Sequence, residues 1–403
     1  MNKWVILLSS MFVMMIISIY QYSWSLFAYA ISNELRWSLT TISLAFTVFV
    51  YASTFIQPFS GFLADKYGSR KLALLSSVLV GLGFLLSSHI SSPAELYLTY
   101  GLGSLGVGTL YGIATATAIK WFPGRKGLAT GIVTFGFGAG ASLFNLPIQE
   151  LVITNGFRYA FTYVGLFMLI ALVPFSYLLI YPKVSVQNKS VDKDLSEVNY
   201  GPIKMLKTWQ WYLIYLTFII TPAAALMFGA QIKLMAAEFN IPTPYLNMVL
   251  VVFPLANGLS RIIAGILSDR IGREVTMALF YVLLGISLLG LSSFGWVPLM
   301  FLIFTFAASL LGGAPYTFYP SIIGDYYGIK YATVNYGITY TAKAWAGLLS
   351  GWVTAYLVEV YGSYRLPLTA IALLCIGAAV LSSPILLKPP RRQVDDNKIK
   401  VGV

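Results

Sequence analysis

Long apolar runs separated by short polar punctuation dominate the chain. They predict helices over residues 4–32, 39–63, 71–89, 94–120, 126–152, 158–182, 208–236, 243–268, 275–294, 297–325, 331–359 and 364–388. Each holds roughly the 20 residues that a helix needs to cross a bilayer. Turn and charge signals fall between the runs, among them Asp65-Lys66-Tyr67-Gly68, Ser91-Ser92-Pro93, Phe122-Pro123-Gly124, Asn240-Ile241-Pro242 and Asp269-Arg270-Ile271-Gly272. One connection, 183–207, is longer and polar, with Lys189, Asp192, Lys193, Asp194 and Glu197. It divides the chain into an N-terminal six-helix bundle (1–182) and a C-terminal one (208–388), followed by a basic tail (389–403). The first run begins Met1-Asn2-Lys3-Trp4 and lacks a small-residue cleavage site, so it reads as a retained span.

Composition narrows the class. Of 403 residues, 58% are hydrophobic and only 10% charged, against about 25% charged in soluble domains. So few charges exclude a water-soluble enzyme, a disordered chain and a coiled coil. The expected fold is an all-α membrane protein of twelve transmembrane helices in two pseudo-symmetric six-helix bundles. A single cysteine, Cys375, excludes an internal disulfide and a cysteine-based metal site, and a single histidine, His89, removes most histidine-dependent catalysis. No catalytic residue, metal or cofactor is expected.

The net charge of +12 suggests nucleic acid until the charges are placed. With the N-terminus in the cytoplasm, that end, the even-numbered connections and the tail hold 20 of the 26 Lys and Arg, and the outer loops hold three: Arg36, Arg158 and Arg365. This is the positive-inside bias, and it puts both termini of a multi-pass cell-membrane protein in the cytoplasm. The partners expected are the lipid bilayer and a small solute, not nucleic acid, and the chain is read as a monomer.

Three basic residues remain: Lys233, Arg261 and Lys343. Arg261 lies eight residues before Asp269, about 12 Å into helix 8, and Lys343 lies about 20 Å along helix 11 from Lys330. Each costs roughly 2.5–3.5 kcal/mol to insert at mid-membrane, so the default reading is functional. All 14 acids fall near helix ends, in the linker or in the tail. Arg261 and Lys343 therefore have no carboxylate of their own and favour an anion. Arginine offers a planar fork to a carboxylate, and lysine a point charge. Lys233, late in helix 7, reads as a snorkelling residue near the outer surface.

The chain also repeats itself. Gly61-Phe62-Leu63-Ala64-Asp65-Lys66-Tyr67-Gly68-Ser69-Arg70-Lys71 follows helix 2, and Gly265-Ile266-Leu267-Ser268-Asp269-Arg270-Ile271-Gly272-Arg273 follows helix 8. The duplication is in phase with the two halves, as in transporters that rock two repeats about a central site. This loop resembles the signature of the major facilitator superfamily. Gln21-Tyr22-Ser23-Trp24, Trp121-Phe122-Pro123, Arg125-Lys126-Gly127-Leu128-Ala129, Asn335-Tyr336-Gly337 and Ala342-Lys343-Ala344, with Arg261, resemble its oxalate–formate antiporter branch.

The resemblance implies a secondary transporter of small carboxylates, exchanging dicarboxylate for monocarboxylate by alternating access. By position it implies substrate binding by Arg261 and Lys343, with Tyr111, Tyr316 and Tyr340 around the substrate. It adds Trp24 in the helix 1 segment, and Phe27 and Phe137 where the branch can have tyrosine. It implies conformational roles for Asp65, Arg70, Asp269 and Arg273. Gly312 and Tyr340 stand where the oxalate carrier has tryptophan, which puts oxalate itself in question. Proton-linked monocarboxylate symporters, the nearest alternative, resemble this architecture but carry an acid where Asn257 stands. A non-transporting membrane sensor is the alternative from another class.

Overall fold

The computed structural model describes residues 2–122, 125–182, 199–328 and 331–390. Most of the 183–207 connection, the Pro123-Gly124 turn, Lys330 and nearly all of the basic tail lie outside the described residues.

Among the described residues the helices group into twelve successive spans, and no strand occurs. Helix 1 covers Lys3–Leu35, and helices 2, 3 and 4 cover Leu39–Tyr67, Ser69–Ser87 and Pro93–Trp121. Helix 5 starts at Lys126 and helix 6 ends at Tyr177. The two run on as one apolar stretch, but Gly156 turns the chain between them at φ 82°, a left-handed conformation that glycine adopts without strain. Helices 7, 8, 9 and 10 cover Trp209–Glu238, Thr243–Ile271, Arg273–Phe294 and Pro298–Tyr327. Helix 11 is assembled from Ala332–Tyr340, Ala342–Leu348, a π turn over Leu349–Val353, and Thr354–Tyr361. Helix 12 covers Arg365–Leu381. It ends earlier than hydropathy suggests because Pro384 follows closely and disfavours helix in the residue before it.

The helix ends follow local chemistry. The Ser38 hydroxyl accepts from the Thr41 N–H at the start of helix 2, and Ser92 caps helix 4 with Pro93 in its first turn. The duplicated loop is duplicated in conformation as well. Gly68 closes helix 2 at φ 95° and Gly272 closes helix 8 at φ 93°.

The halves meet through helices 1 and 7, 2 and 11, and 5 and 8. At the last seam Gly138 faces Gly258 so closely that a methyl group on Gly138 would stand 2.5 Å from the Gly258 Cα. Such approach of small residues is how helices pack where water supplies no driving force. Hydrogen bonds across the seam lie at mid-height or toward the end that carries Glu238 and Glu359. Thr40 donates its backbone N–H to Glu359 Oε1 at 2.8 Å and its hydroxyl to the other carboxylate oxygen. Gln231 Nε2 donates to the Ser43 hydroxyl, Asn145 Nδ2 to the Leu250 carbonyl and Gln149 Nε2 to Asn247 Oδ1. In the π turn the Trp352 N–H is free to donate to the Thr47 hydroxyl at 3.2 Å. Between Arg261 and the end carrying Asp65 and Asp269, no hydrogen bond joins the halves among the described side chains.

Candidate anion site

Arg261 and Lys343 come from helices 8 and 11 and face one another's surroundings in the middle of the bundle. They are 5% and 4% exposed, which is exceptional burial for charged side chains. Tyr316 of helix 10 links them. Its ring centroid lies 5.0 Å from the Arg261 guanidinium carbon and 5.7 Å from the Lys343 ammonium. The ammonium also lies 5.7 Å from the Tyr340 ring and 5.8 Å from the Phe137 ring. Tyr111 closes the first-half side, 5.1 Å from Phe137 and 6.5 Å from Tyr340 between centroids. Four aromatic positions read from the sequence thus come together with Arg261 and Lys343: Tyr111, Phe137, Tyr316 and Tyr340 form the wall.

Several of these residues sit at breaks in their helices. Helix 10 is interrupted at Gly313-Ala314, and Tyr316 follows in the first turn of its second piece. Helix 11 turns at Thr341, between Tyr340 and Lys343. Helix 1 is interrupted at Ser18 and Ser23, on either side of Tyr22. Irregular backbone at membrane depth is tolerated where it is buried in protein or lines a cavity.

Arg261 is held, not neutralised. Its Nη1 donates to the Thr134 carbonyl at 3.0 Å, across the seam between halves. Its Nη2 reaches Asn257 Oδ1 at 3.5 Å, and the Tyr22 hydroxyl donates to the same oxygen at 2.9 Å. No carboxylate lies within ion-pair distance of Arg261 or Lys343 among the described residues, whose ion pairs all lie elsewhere. Several donors around the pair are also unused: Arg261 Nε, Asn257 Nδ2 and the hydroxyls of Tyr316 and Tyr340. A buried donor without an acceptor costs about 1–3 kcal/mol. The chemistry missing here is a negative, acceptor-only group.

Trp24 and Phe27 lie elsewhere. The Trp24 ring packs 4.5 Å from Tyr100, and Phe27 stacks on Phe161 at 4.2 Å and meets Phe84 at 5.4 Å. Both are fully buried within the first half. Helical rotation accounts for this: two and five residues after Tyr22, they stand about 200° and 140° round the helix from it.

The repeated loops bond within their own halves. Asp65 pairs with Lys120 at 2.5 Å, joining helices 2 and 4. Arg273 pairs with Asp269 at 2.6 Å and with Asp325 at 3.1 Å, joining helices 8, 9 and 10. Arg70 donates to the Tyr177 carbonyl at 3.0 Å and lies over the Tyr177 ring.

Tyr22 lies in the Gln21-Tyr22-Ser23-Trp24 segment, which does not single it out as a site residue, and Phe218 and the Thr134 carbonyl adjoin the pair but carry no signal as charged or motif-borne positions. Asn257 does carry one, being a polar residue one helical turn before Arg261 and so on the same face. Phe218 of helix 7 backs the cage, 6.3 Å from Tyr316 and 6.0 Å from Tyr340.

Comparison with known proteins bears on this geometry. The model of the Major Facilitator Superfamily matches residues 6–230 and again 214–401. The oxalate:formate antiporter of Oxalobacter formigenes is 29% identical over 378 residues, 90% of this chain and 89% of that protein. An uncharacterized 38 kDa protein from Thermoproteus tenax is 32% identical over 93% of both chains. A probable sulfoacetate transporter of Cupriavidus necator is 24% identical over 88% of both.

Proposed function

The chain belongs to the Major Facilitator Superfamily, and from that premise we propose that it exchanges small carboxylates across the cell membrane, with Arg261 and Lys343 as the binding pair. One observation carries the reading: two buried cations share the Tyr316 ring, with unused donors around them and no described carboxylate within ion-pair distance. An anion that enters supplies the missing charge. At an effective dielectric near 20 a charge pair 4 Å apart is worth about 4 kcal/mol. Desolvation of the anion offsets much of this, so the cargo binds and still leaves. The antiporter of Oxalobacter formigenes supports the class of cargo.

Alternating access follows from the same charges. The basic bias assigns the Asp65 and Asp269 end to the cytoplasm and the Glu238 and Glu359 end to the outside. The hydrogen bonds across the seam then tie the halves together at mid-membrane and outside, with Arg261 and Lys343 buried between them. An empty carrier must close its halves around two bare cations, whereas a loaded one closes around a neutralised site. That difference favours exchange over net flux. Neutral Asn257 beside Arg261 favours exchange over proton symport as well, since it offers no proton site there. Asp65, Arg70, Asp269 and Arg273 tie the helices of each half into bodies that move as units.

Counterflow in proteoliposomes tests the proposal. Liposomes loaded with oxalate, formate, malonate or sulfoacetate should accumulate a labelled carboxylate without a pH gradient. Uptake that appears only with an imposed pH gradient would assign the chain to symport, and binding without any flux would assign it to sensing.

A further inference from the structure

A second unneutralised cation lies in a cleft of about 340 Å³ at the Glu238 and Glu359 end. Helix 1 contributes Tyr29, Asn33 and Glu34 to its wall, helix 5 contributes Gln149, and Lys233 is the one lining residue from the second half. Lys233 lies five residues before the end of helix 7, about 7.5 Å inside it. It is half-buried, and its ammonium stands 5.2 Å from the Tyr29 ring centroid. This is a lysine turned into the seam between halves, not one reaching along lipid. No carboxylate is within 4.0 Å of it among the described residues, and Glu34 instead faces Arg158 at 3.6 Å. The charged residues that line the cleft are Lys233 and Glu34, and Arg158, outside the lining, draws on the Glu34 carboxylate while no described carboxylate draws on Lys233. Gln149 is 6% exposed, and its Nε2 is committed to Asn247 while its Oε1 has no partner. A water bridging to a bound anion satisfies that oxygen.

We propose that Lys233, Tyr29 and Gln149 form a second anion site, which captures the same small carboxylates at the outer mouth before the halves open. The proposal deepens the reading of the chain as a carboxylate exchanger and rests on it for the identity of the ligand. A cation over an aromatic ring without a carboxylate repeats, in a wetter setting, the arrangement of Lys343 over Tyr316. An ammonium without a carboxylate partner attracts anions to a closed gate, and seam opening beside helix 7 leads inward.

Two experiments test it. The first is equilibrium dialysis of purified full-length protein with radiolabelled oxalate as the probe. The R261Q/K343Q protein should retain weak binding in the millimolar range, and adding K233Q should remove it. No residual binding, or residual binding indifferent to K233Q, overturns the proposal. The second is kinetics in vesicles of each orientation. K233Q should raise the apparent KM on the Glu359 face roughly fivefold more than on the opposite face, and K233R should restore it. An equal shift on both faces, or none, overturns the proposal. The central reading fails separately: it falls if R261Q/K343Q still exchanges at the native rate, whatever K233Q does.

Discussion

Tyr316 stands between Arg261 and Lys343, with its ring 5.0 Å from the guanidinium and 5.7 Å from the ammonium. The ring face is electron-rich and attracts both cations. It therefore lets two like charges share one buried region without a carboxylate. A full counter-charge from the protein would occupy the place that the cargo is proposed to take.

Removing either cation should sharply weaken exchange while sparing the fold. R261A and K343A are each expected to lower anion uptake about tenfold to a hundredfold, the range for losing a charged hydrogen bond of roughly 1.5–3 kcal/mol. K343A should melt at or above the native temperature, because it deletes a buried charge that costs energy to insert. Uptake at the native rate in either variant contradicts the site.

The ring between the cations should matter more than its hydroxyl. Y316F keeps the face that both cations share and should hold uptake within about threefold of the native protein. Y316A removes the face and leaves the cations to repel through a widened space, so it should cost at least about tenfold, given some 0.5–2 kcal/mol per cation–π contact. Initial uptake rates compare the two directly, and equal loss in both would refute the ordering.

Asn257 orients Arg261 through an oxygen that Tyr22 also holds. N257A should weaken anion affinity about fivefold, for roughly 1 kcal/mol of hydrogen bonding. N257D should weaken it more at neutral pH, since a carboxylate one turn from Arg261 competes with the cargo. Affinity in N257D should then recover as the pH falls and the new carboxyl takes up a proton. A pH series of binding isotherms reads both effects, and a flat N257D profile speaks against competition.

The Thr40–Glu359 contact should hold the closed outer end. Glu359 of helix 11 caps the first turn of helix 2 across the seam. E359Q removes the charge from that cap and should shift the population toward outer opening. Cys375 is the single cysteine and is buried, so its replacement by serine leaves a silent background. In that background V50C, which lies against Gly347 on the seam, should react several-fold faster with an impermeant maleimide when E359Q is present. An unchanged rate assigns the contact to helix capping alone.

Much of this was legible from the residue order because the bilayer imposes a simple code. Apolar runs mark the helices, and Gly68 and Gly272 mark the ends of a repeated unit that the structure closes with the same backbone conformation. Arg261 and Lys343 stood out as charges inside apolar runs. What stayed hidden depended on how the helices face one another. The sequence motif around Tyr22 does not say which face of helix 1 meets the other half, so it did not show that Tyr22 reaches Asn257 while Trp24 and Phe27, on the opposite side, turn into their own half. The Thr134 carbonyl that holds Arg261 was equally hidden, since a backbone acceptor has no signature in a sequence. Helix 12 read too long because hydropathy alone ignores the proline beyond its end.

The claim that the cargo completes the charge of the site is tested most directly by the melting temperature of the purified protein in matched ligands. Formate and oxalate should raise it in a saturable way, formamide and oxamide should not, and the R261Q/K343Q protein should lose the saturable rise at ligand concentrations below the millimolar range. A rise of equal size with the neutral amides, or one that persists undiminished in R261Q/K343Q, would contradict the account.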